Sequence, residues 1–274
     1  MRRWEAIATL VVASSVAQAL SPAAGQADGL PHAGGSEARL SVPRATCLVS
    51  PTGQLRPLFG VPGGYVLGEP ARAGVLSVAC GDGFTLVKTA QALEWFDADG
   101  QPARRWPAPG GPALFGLAAD AARAVVYLPG SGHWFLADKG DLRLLRAALR
   151  EHEEVLSVAL VGRDSIAVVS RRSGRLWFSR GGLDGFLEEE RELAEAVAPI
   201  LVLPDGAIAW GAGEGIVLQQ QAGARRYVPL PAPPAELGAA EHGIYVQLAG
   251  GQGRLLVRLS EDRTDLYRLP EIPQ

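Results

Sequence analysis

Short apolar runs of four to six residues follow one another along most of the chain, separated by turns rich in Gly, Asp and Pro. Runs of this length, enriched in β-branched and aromatic residues and bounded by turn formers, predict β-strands joined by hairpins. The runs fall into groups with a common order. An apolar run comes first, then an alternating one, then a run carrying the pair Trp-Phe, a polar turn and a last run ending near proline. The pair recurs at nearly even steps, at Trp95-Phe96, Trp134-Phe135 and Trp177-Phe178, the second step being slightly the longer. Two further steps of the same length as the first reach Ile216-Val217 and Leu255-Leu256, where the aromatics have become aliphatic. The pentapeptide Val-Leu-Ser-Val-Ala also occurs twice, starting at Val75 and at Val155.

Aligned on the pair, the chain contains five full groups. The first is predicted at 75–80, 84–89, 92–96 and 103–106, and the second at 114–118, 124–128, 134–137 and 142–145. The third covers 155–160, 165–170 and 176–179, with a poorly marked fourth strand. The fourth covers 200–203, 207–210, 216–219 and 226–230, and the last 237–240, 244–248, 254–259 and 264–269. Upstream, 46–49 and 54–59 fit the third and fourth strands of an incomplete group, with 38–42 as its second. Two places break the rhythm: Leu142, Leu145 and Leu149 have helical spacing, and so nearly do Leu183, Phe186, Leu187, Leu193 and Val197. The second stretch is predicted as a short helix between groups, with Glu188–Glu190 on its solvated face.

A period of roughly 40 residues implies units too small to bury their own apolar faces, which must therefore pack on one another. Four strands per unit at this length predict an all-β fold, a β-propeller of four-stranded blades. Six blades are expected, five or seven being the alternatives. The N-terminal strands would share a blade with the C-terminus or pack beside it. Because Trp and Phe on one strand point to opposite faces, Trp95, Phe96, Trp134, Phe135, Trp177 and Phe178 are expected as core between blades. A ligand site would not tolerate the change to Ile-Val and Leu-Leu at the same step.

The first residues change the picture of where the protein works. Arg2 and Arg3, an uncharged stretch over 6–16 and Ala17-Gln18-Ala19 form an export signal over residues 1–19, with a second cleavage point at Ala27. The apolar stretch is shorter than the roughly 20 residues of a membrane span, so no transmembrane segment is expected after cleavage. Residues 28–37 read as a flexible lead-in and 38–274 as one domain. A secreted or periplasmic location makes a disulfide between Cys47 and Cys80 an option, the alternative being two small buried thiols. The formal charge of −3 becomes −4 once Arg2, Arg3 and Glu5 are removed, which disfavours nucleic acid as a partner. The 47% apolar content is enough for a sizeable core.

Candidate chemistry is sparse. Asp97-Ala98-Asp99-Gly100 resembles the start of a calcium loop but lacks its closing glutamate, so it reads as a hairpin turn. His32, His133, His152 and His242 form no metal-ligand pattern. No nucleophile elbow, phosphate loop or dinucleotide fingerprint is present. No catalytic residue, metal or cofactor is expected from the sequence.

With its signal, its repeated units and its turn-strand rhythm, the chain over 45–270 resembles the broad class of secreted bacterial β-propellers, related in shape to the WD-repeat, NHL and quinoprotein-like families. The Trp-Asp dipeptide of the first and the docking motifs of the last are absent, and Gly-His occurs once, at Gly132-His133, without repeating, so the resemblance implies no site residues. The segment 56–64 is expected to pack across one face of the ring. The resemblance implies a non-catalytic exported module that binds a protein or cell-envelope partner. The alternative is a hydrolase or lyase acting on a sugar or lactone at the central channel, which would need two or more acidic or histidine side chains to converge there.

Overall fold

The computed structural model describes residues 44–61, 63–146, 154–185, 187–240, 243–260 and 263–272. The signal and lead-in, the strand predicted at 38–42, Leu149, Phe186, His32, His152 and His242 lie outside the described residues. The described chain forms six antiparallel sheets, each built from consecutive strands. Blade 1 holds β1 (Arg44–Val49), β2 (Leu55–Phe59) and β3 (Val66–Leu67), and blade 2 holds β4 (Val75–Gly81), β5 (Phe84–Thr89), β6 (Ala92–Phe96) and β7 (Pro102–Pro107). Blade 3 holds β8 (Leu114–Leu117), β9 (Arg123–Leu128), β10 (His133–Asp138) and β11 (Asp141–Leu145). Blade 4 holds β12 (Glu154–Val161), β13 (Ser165–Arg172), β14 (Arg175–Gly182) and β15 (Leu187–Glu192). Blade 5 holds β16 (Ile200–Val202), β17 (Ile208–Gly211), β18 (Gly215–Gln219) and β19 (Arg225–Pro229), and blade 6 holds β20 (Pro234–Ala240), β21 (Gly243–Leu248), β22 (Arg254–Leu259) and β23 (Thr264–Arg268). This is a six-bladed β-propeller.

The core is divided among the seams, because a single sheet offers two apolar faces and nothing inside itself to cover them. Leu55 of blade 1 clusters with Val75 and Val87 of blade 2, and Leu86 and Trp95 of blade 2 with Leu117 and Val126 of blade 3. Trp134 of blade 3 packs with Leu160 and Val168 of blade 4, and Phe178 of blade 4 with Ile200 and Trp210 of blade 5. Ile216 of blade 5 joins Ile244 and Val257 of blade 6, and Leu256 of blade 6 joins Leu48 and Leu58 of blade 1. A large apolar side chain fully buried in such a seam contributes roughly 1.5–3 kcal/mol by area alone. At the seam between blades 3 and 4 the backbones themselves touch: a Cβ on Gly116 would lie 2.5 Å from the Cα of Ala159, so only glycine fits at that point of β8.

The Trp-Phe pairs are not in equivalent register. Trp95 and Trp134 are buried toward the following blade, while Phe96 and Phe135 are half-buried and pack against the preceding seam. In β14 the roles exchange: Phe178 is buried toward blade 5, and Trp177 is half-buried with the Arg172 guanidinium 3.9 Å above its ring. A shift of one residue moves every side chain to the opposite face of a strand.

Two local expectations are corrected. The segment 46–49 and 54–59 forms the first and second strands of its blade, since among the described residues β1 is innermost and pairs only with β2, and the third strand is the two-residue β3. That third strand escapes sequence reading because Pro70 interrupts its continuation along β2, which resumes at Ala71 and Arg72. The helix predicted between blades is instead β15. Its glutamates stand on the outer strand and pair with arginines of β13 and β14, Glu190 with Arg172 at 3.1 Å, Glu192 with Arg175 at 3.2 Å and Glu188 with Arg180 at 3.3 Å. Cross-strand ion pairs of this kind favour the ladder over a helix. Leu142 and Leu145 likewise lie on a strand, β11.

Ring closure falls at the seam between blades 6 and 1. The innermost strands pack one on the next from β1 through β4, β8, β12 and β16 to β20, but β20 and β1 do not close the circle in the same way. That seam is held farther out by side chains. Leu269 and Ile272, beyond the last strand, pack with Leu48 and Leu58, and the rings of Tyr65 and Tyr267 meet edge to face at 6.4 Å. No helix among the described residues is long and apolar enough to cross a membrane.

Candidate functional site

The six innermost strands enclose a central cavity of about 520 Å³, to which every blade contributes side chains. Its shape depends on β-bulges. The pairing of β1, β4, β12 and β20 skips one residue near its start, between Arg44 and Thr46, Val75 and Ser77, Val155 and Ser157, and Pro234 and Glu236. A bulge re-aims the side chains around it. In the two Val-Leu-Ser-Val-Ala copies it leaves Leu76 and Leu156 unpaired on the channel wall, Leu76 with 44% of its surface exposed. The serine that follows serves the seam: Ser77 Oγ accepts the backbone N–H of Ala113 at 2.9 Å and Ser157 Oγ that of Val202 at 2.9 Å. The repeated pentapeptide therefore encodes a channel-facing leucine and a hydrogen bond to the next blade, the latter contributing about 1 kcal/mol each time.

The wall is two-sided. Leu76, Leu114 and Leu156 come from the neighbouring blades 2, 3 and 4. Across the ring, opposite blade 3, blade 6 supplies Glu236, Tyr245, Gln247 and Arg254, and among the described residues it alone contributes second- and third-strand residues to the lining. The cavity thus extends sideways into the incompletely closed seam between blades 6 and 1. Arg254 Nε donates to Gln247 Oε1 at 2.6 Å, the Tyr245 hydroxyl reaches the same oxygen at 3.4 Å, and Gln247 Nε2 donates to the carbonyls of Leu248 at 3.3 Å and Gly253 at 3.1 Å. Glu236 is exposed and is the one carboxylate among the described residues of the lining.

Burial pushes the Tyr245 phenol up to about 12, Arg254 opposing the shift and the Glu236 charge adding to it. The phenol is therefore a neutral hydrogen-bonding group throughout the physiological range. Since the folded value lies above the ordinary value of 10.0, this group's contribution to stability is complete below about pH 10 and is lost as pH rises toward 12. In an alkaline titration followed by phenolate absorbance, the difference between the protein and its Tyr245→Phe variant should have its midpoint near pH 12; a midpoint near 10 would show that the phenol is freely solvated.

The residues singled out from the sequence are distributed differently. Cys47 and Cys80 stand on β1 and β4 with their Cα atoms 6.0 Å apart, joined as a disulfide across the seam between blades 1 and 2, and both border the cavity. None of the six Trp-Phe residues lines the cavity. Asp97 closes a turn, its carboxylate accepting the N–H of Gln101 at 2.8 Å. His133 is exposed on β10 beside Phe135. Among the described residues no three His, Cys, Asp or Glu side chains are grouped to hold a metal ion. Lys88 is 1% exposed; its Nζ donates to the carbonyls of Thr89 and Pro109 at 2.5 and 2.6 Å, and burial lowers its pKa. It ties the linker after blade 2 to β5 and does not reach the cavity.

Solved structures share the fold. A streptogramin B lyase superposes with a TM-score of 0.50 at 15% identity, over 85% of this chain and 86% of the lyase. A functionally unknown protein from Desulfotomaculum acetoxidans superposes with a TM-score of 0.51 at 12% identity, over 82% and 79% of the two chains. The likeness is one of fold. No family model and no curated protein matches the sequence.

Proposed function

We propose that the protein is an exported, non-catalytic β-propeller that acts as a binding module for a protein or cell-envelope partner. The observation that carries this reading is the channel wall: among the described residues, three leucines face a polar group containing a single carboxylate. Acid–base chemistry on a sugar or lactone calls for two groups poised at different protonation states on either side of the reacting bond. Among the described residues, Glu236 has no second carboxylate or histidine beside it in the lining. The neighbouring side chains Gln247 and Arg254 are engaged with each other, as expected of a wall that holds a ligand.

Export supplies the second half of the proposal. A basic start, an apolar stretch and a small-residue cleavage point precede the domain, and the Cys47–Cys80 pairing fits an oxidising compartment. Expression of the full chain in a bacterial host should yield a periplasmic protein beginning at Leu20 or Asp28. Incubated with a panel of lactones and glycosides, that protein should leave them intact. Turnover that disappears in Glu236→Gln would overturn the non-catalytic reading, and an uncleaved protein confined to the cytoplasm would overturn export.

A further inference from the structure

We infer that the outer half of the seam between blades 6 and 1 binds a phosphate group, held between Arg56 of blade 1 and Arg258 of blade 6. This rests on the reading of the protein as a binding module and names the chemistry of one of its contacts, outside the channel.

Strand register fixes where both arginines point. Arg56 is paired with Leu48, and Arg258 lies two residues beyond Leu256 on β22. Leu48 and Leu256 belong to the cluster that fills this seam. Paired residues, and residues two apart on one strand, share a face of the sheet, so Arg56 and Arg258 face the same seam from opposite walls. Arg56 Nη1 donates to the Gly68 carbonyl at 3.3 Å, which sets its head beside the end of β3, away from the channel. Arg258 is exposed, so the site opens to solvent.

The seam offers donors without acceptors. Arg56 Nε is buried and unpartnered, and Arg258 makes no hydrogen bond or ion pair among the described residues. In blade 4, by contrast, Arg172, Arg175 and Arg180 each meet a glutamate. Three of the five tyrosines of the chain, Tyr65, Tyr245 and Tyr267, pack here, which adds hydroxyls to the same walls. Burial and the neighbouring Tyr267 phenol raise the pKa of Tyr65 while the Arg258 charge opposes the shift, so the Tyr65 hydroxyl keeps its proton and stands within the field of Arg258. Among the described residues, two carboxylates of the blade 6 strands share this face. Asp265, the register partner of Arg258, is taken by Arg263, and Glu236 stands on the innermost strand at the channel. Arg254 borders the channel as well, its Nε bonded to Gln247. On the blade 1 side Glu69 follows Gly68 and is exposed.

The two walls call for an acceptor that can be approached from both sides. A phosphate monoester carries a charge of about −1.5 to −2 at neutral pH and three strong acceptor oxygens. Those oxygens point in different directions, whereas a carboxylate holds its two in one plane. Two guanidiniums on opposite walls match the phosphate in charge and in shape.

Calorimetric titration of the mature protein with glycerol 3-phosphate should give saturable one-to-one binding. Arg56→Gln and Arg258→Gln should each weaken it about tenfold or more, while Arg143→Gln, at an exposed arginine of β11, should leave it unchanged. On the unaltered protein the phosphorus resonance of the bound ester should titrate below the free value of about 6, because two cations favour the dianion; this readout stands should a variant fold poorly. Sedimentation with phosphatidylcholine vesicles only when they contain phosphatidic acid would support the site with a lipid headgroup as its source of phosphate. Binding of glycerol 3-phosphate without such sedimentation would support it with a soluble ester. Absence of binding to either, binding unaffected by Arg56→Gln and Arg258→Gln, or binding lost in Arg254→Gln instead would overturn the assignment and leave the non-catalytic reading standing. Release of inorganic phosphate from the ester that is lost in Arg258→Gln would support the site and overturn that reading.

Discussion

Trp134→Ala should lower the melting temperature by on the order of 10 °C, whereas Trp177→Ala should lower it by a small fraction of that. The same dipeptide carries both tryptophans, yet their surroundings differ. Trp134 is 3% exposed, sits against the Tyr127 ring at a centroid distance of 4.4 Å, and belongs to the cluster filling the seam between blades 3 and 4. Emptying such a site removes the transfer free energy of an indole and leaves a cavity in a seam whose backbones are already in contact at Gly116. The usual loss for a buried Trp is about 3–5 kcal/mol, and a domain of this size loses about 2–4 °C per kcal/mol. Trp177 is half-buried, and much of what it offers is a face for Arg172, worth about 0.5–1 kcal/mol at a partly exposed position. Thermal unfolding of the two variants side by side decides the matter. Equal shifts would mean that the third Trp-Phe pair is in register with the first two and that the slip in β14 is wrong.

That slip shows what a sequence pattern can and cannot convey. The recurrence of an apolar pair in every repeat follows from the need of each thin sheet to cover its neighbour, and it survives substitution of Trp-Phe by Ile-Val and Leu-Leu because volume is what the seam requires. Which member of the pair faces which seam depends on strand register. Blade 4, whose β12, β13 and β14 each run eight residues, absorbs extra length that shows in the sequence only as a slightly longer step from Trp134 to Trp177 than from Trp95 to Trp134. The leucines and glutamates of 183–197 mimic helical spacing because an outer strand need bury only one side, so its apolar positions carry little periodic signal. The candidate site was less legible still. Glu236, Gln247 and Arg254 stand on three successive strands and become neighbours only through the pairing of β20, β21 and β22. No local motif marks them. The one local signal at the channel was the repeated Val-Leu-Ser-Val-Ala, whose meaning required the bulge and the serine's partner in the next blade.

Opening the Cys47–Cys80 bridge should destabilise the domain by roughly 3–4 kcal/mol, the chain-entropy value for a loop of this length, across a sequence separation of 33 residues. By the same conversion the melting temperature should fall by on the order of 10 °C. The position of the bridge makes the loss local as well as global. Among the described residues blade 1 has three strands where the others have four, its short β3 leaves Val66 65% exposed, and its inner strand lacks close packing on β20. Blade 1 therefore depends on the seam with blade 2, where the disulfide joins β1 to β4 within the cluster that holds Leu55, Val75 and Val87. Melting the unaltered protein with and without reductant isolates the bond, and a Cys47→Ala, Cys80→Ala double variant controls for access of the reductant. Hydrogen exchange should accelerate first in β1 and β2, with β13 and β14 unchanged, because unfolding should begin at the seam between blades 6 and 1, where ring closure lacks inner-strand packing. An unchanged melting temperature would show that apolar packing between blades 1 and 2 suffices to hold the first blade. Faster exchange spread evenly over all six blades would show that the ring opens as one unit.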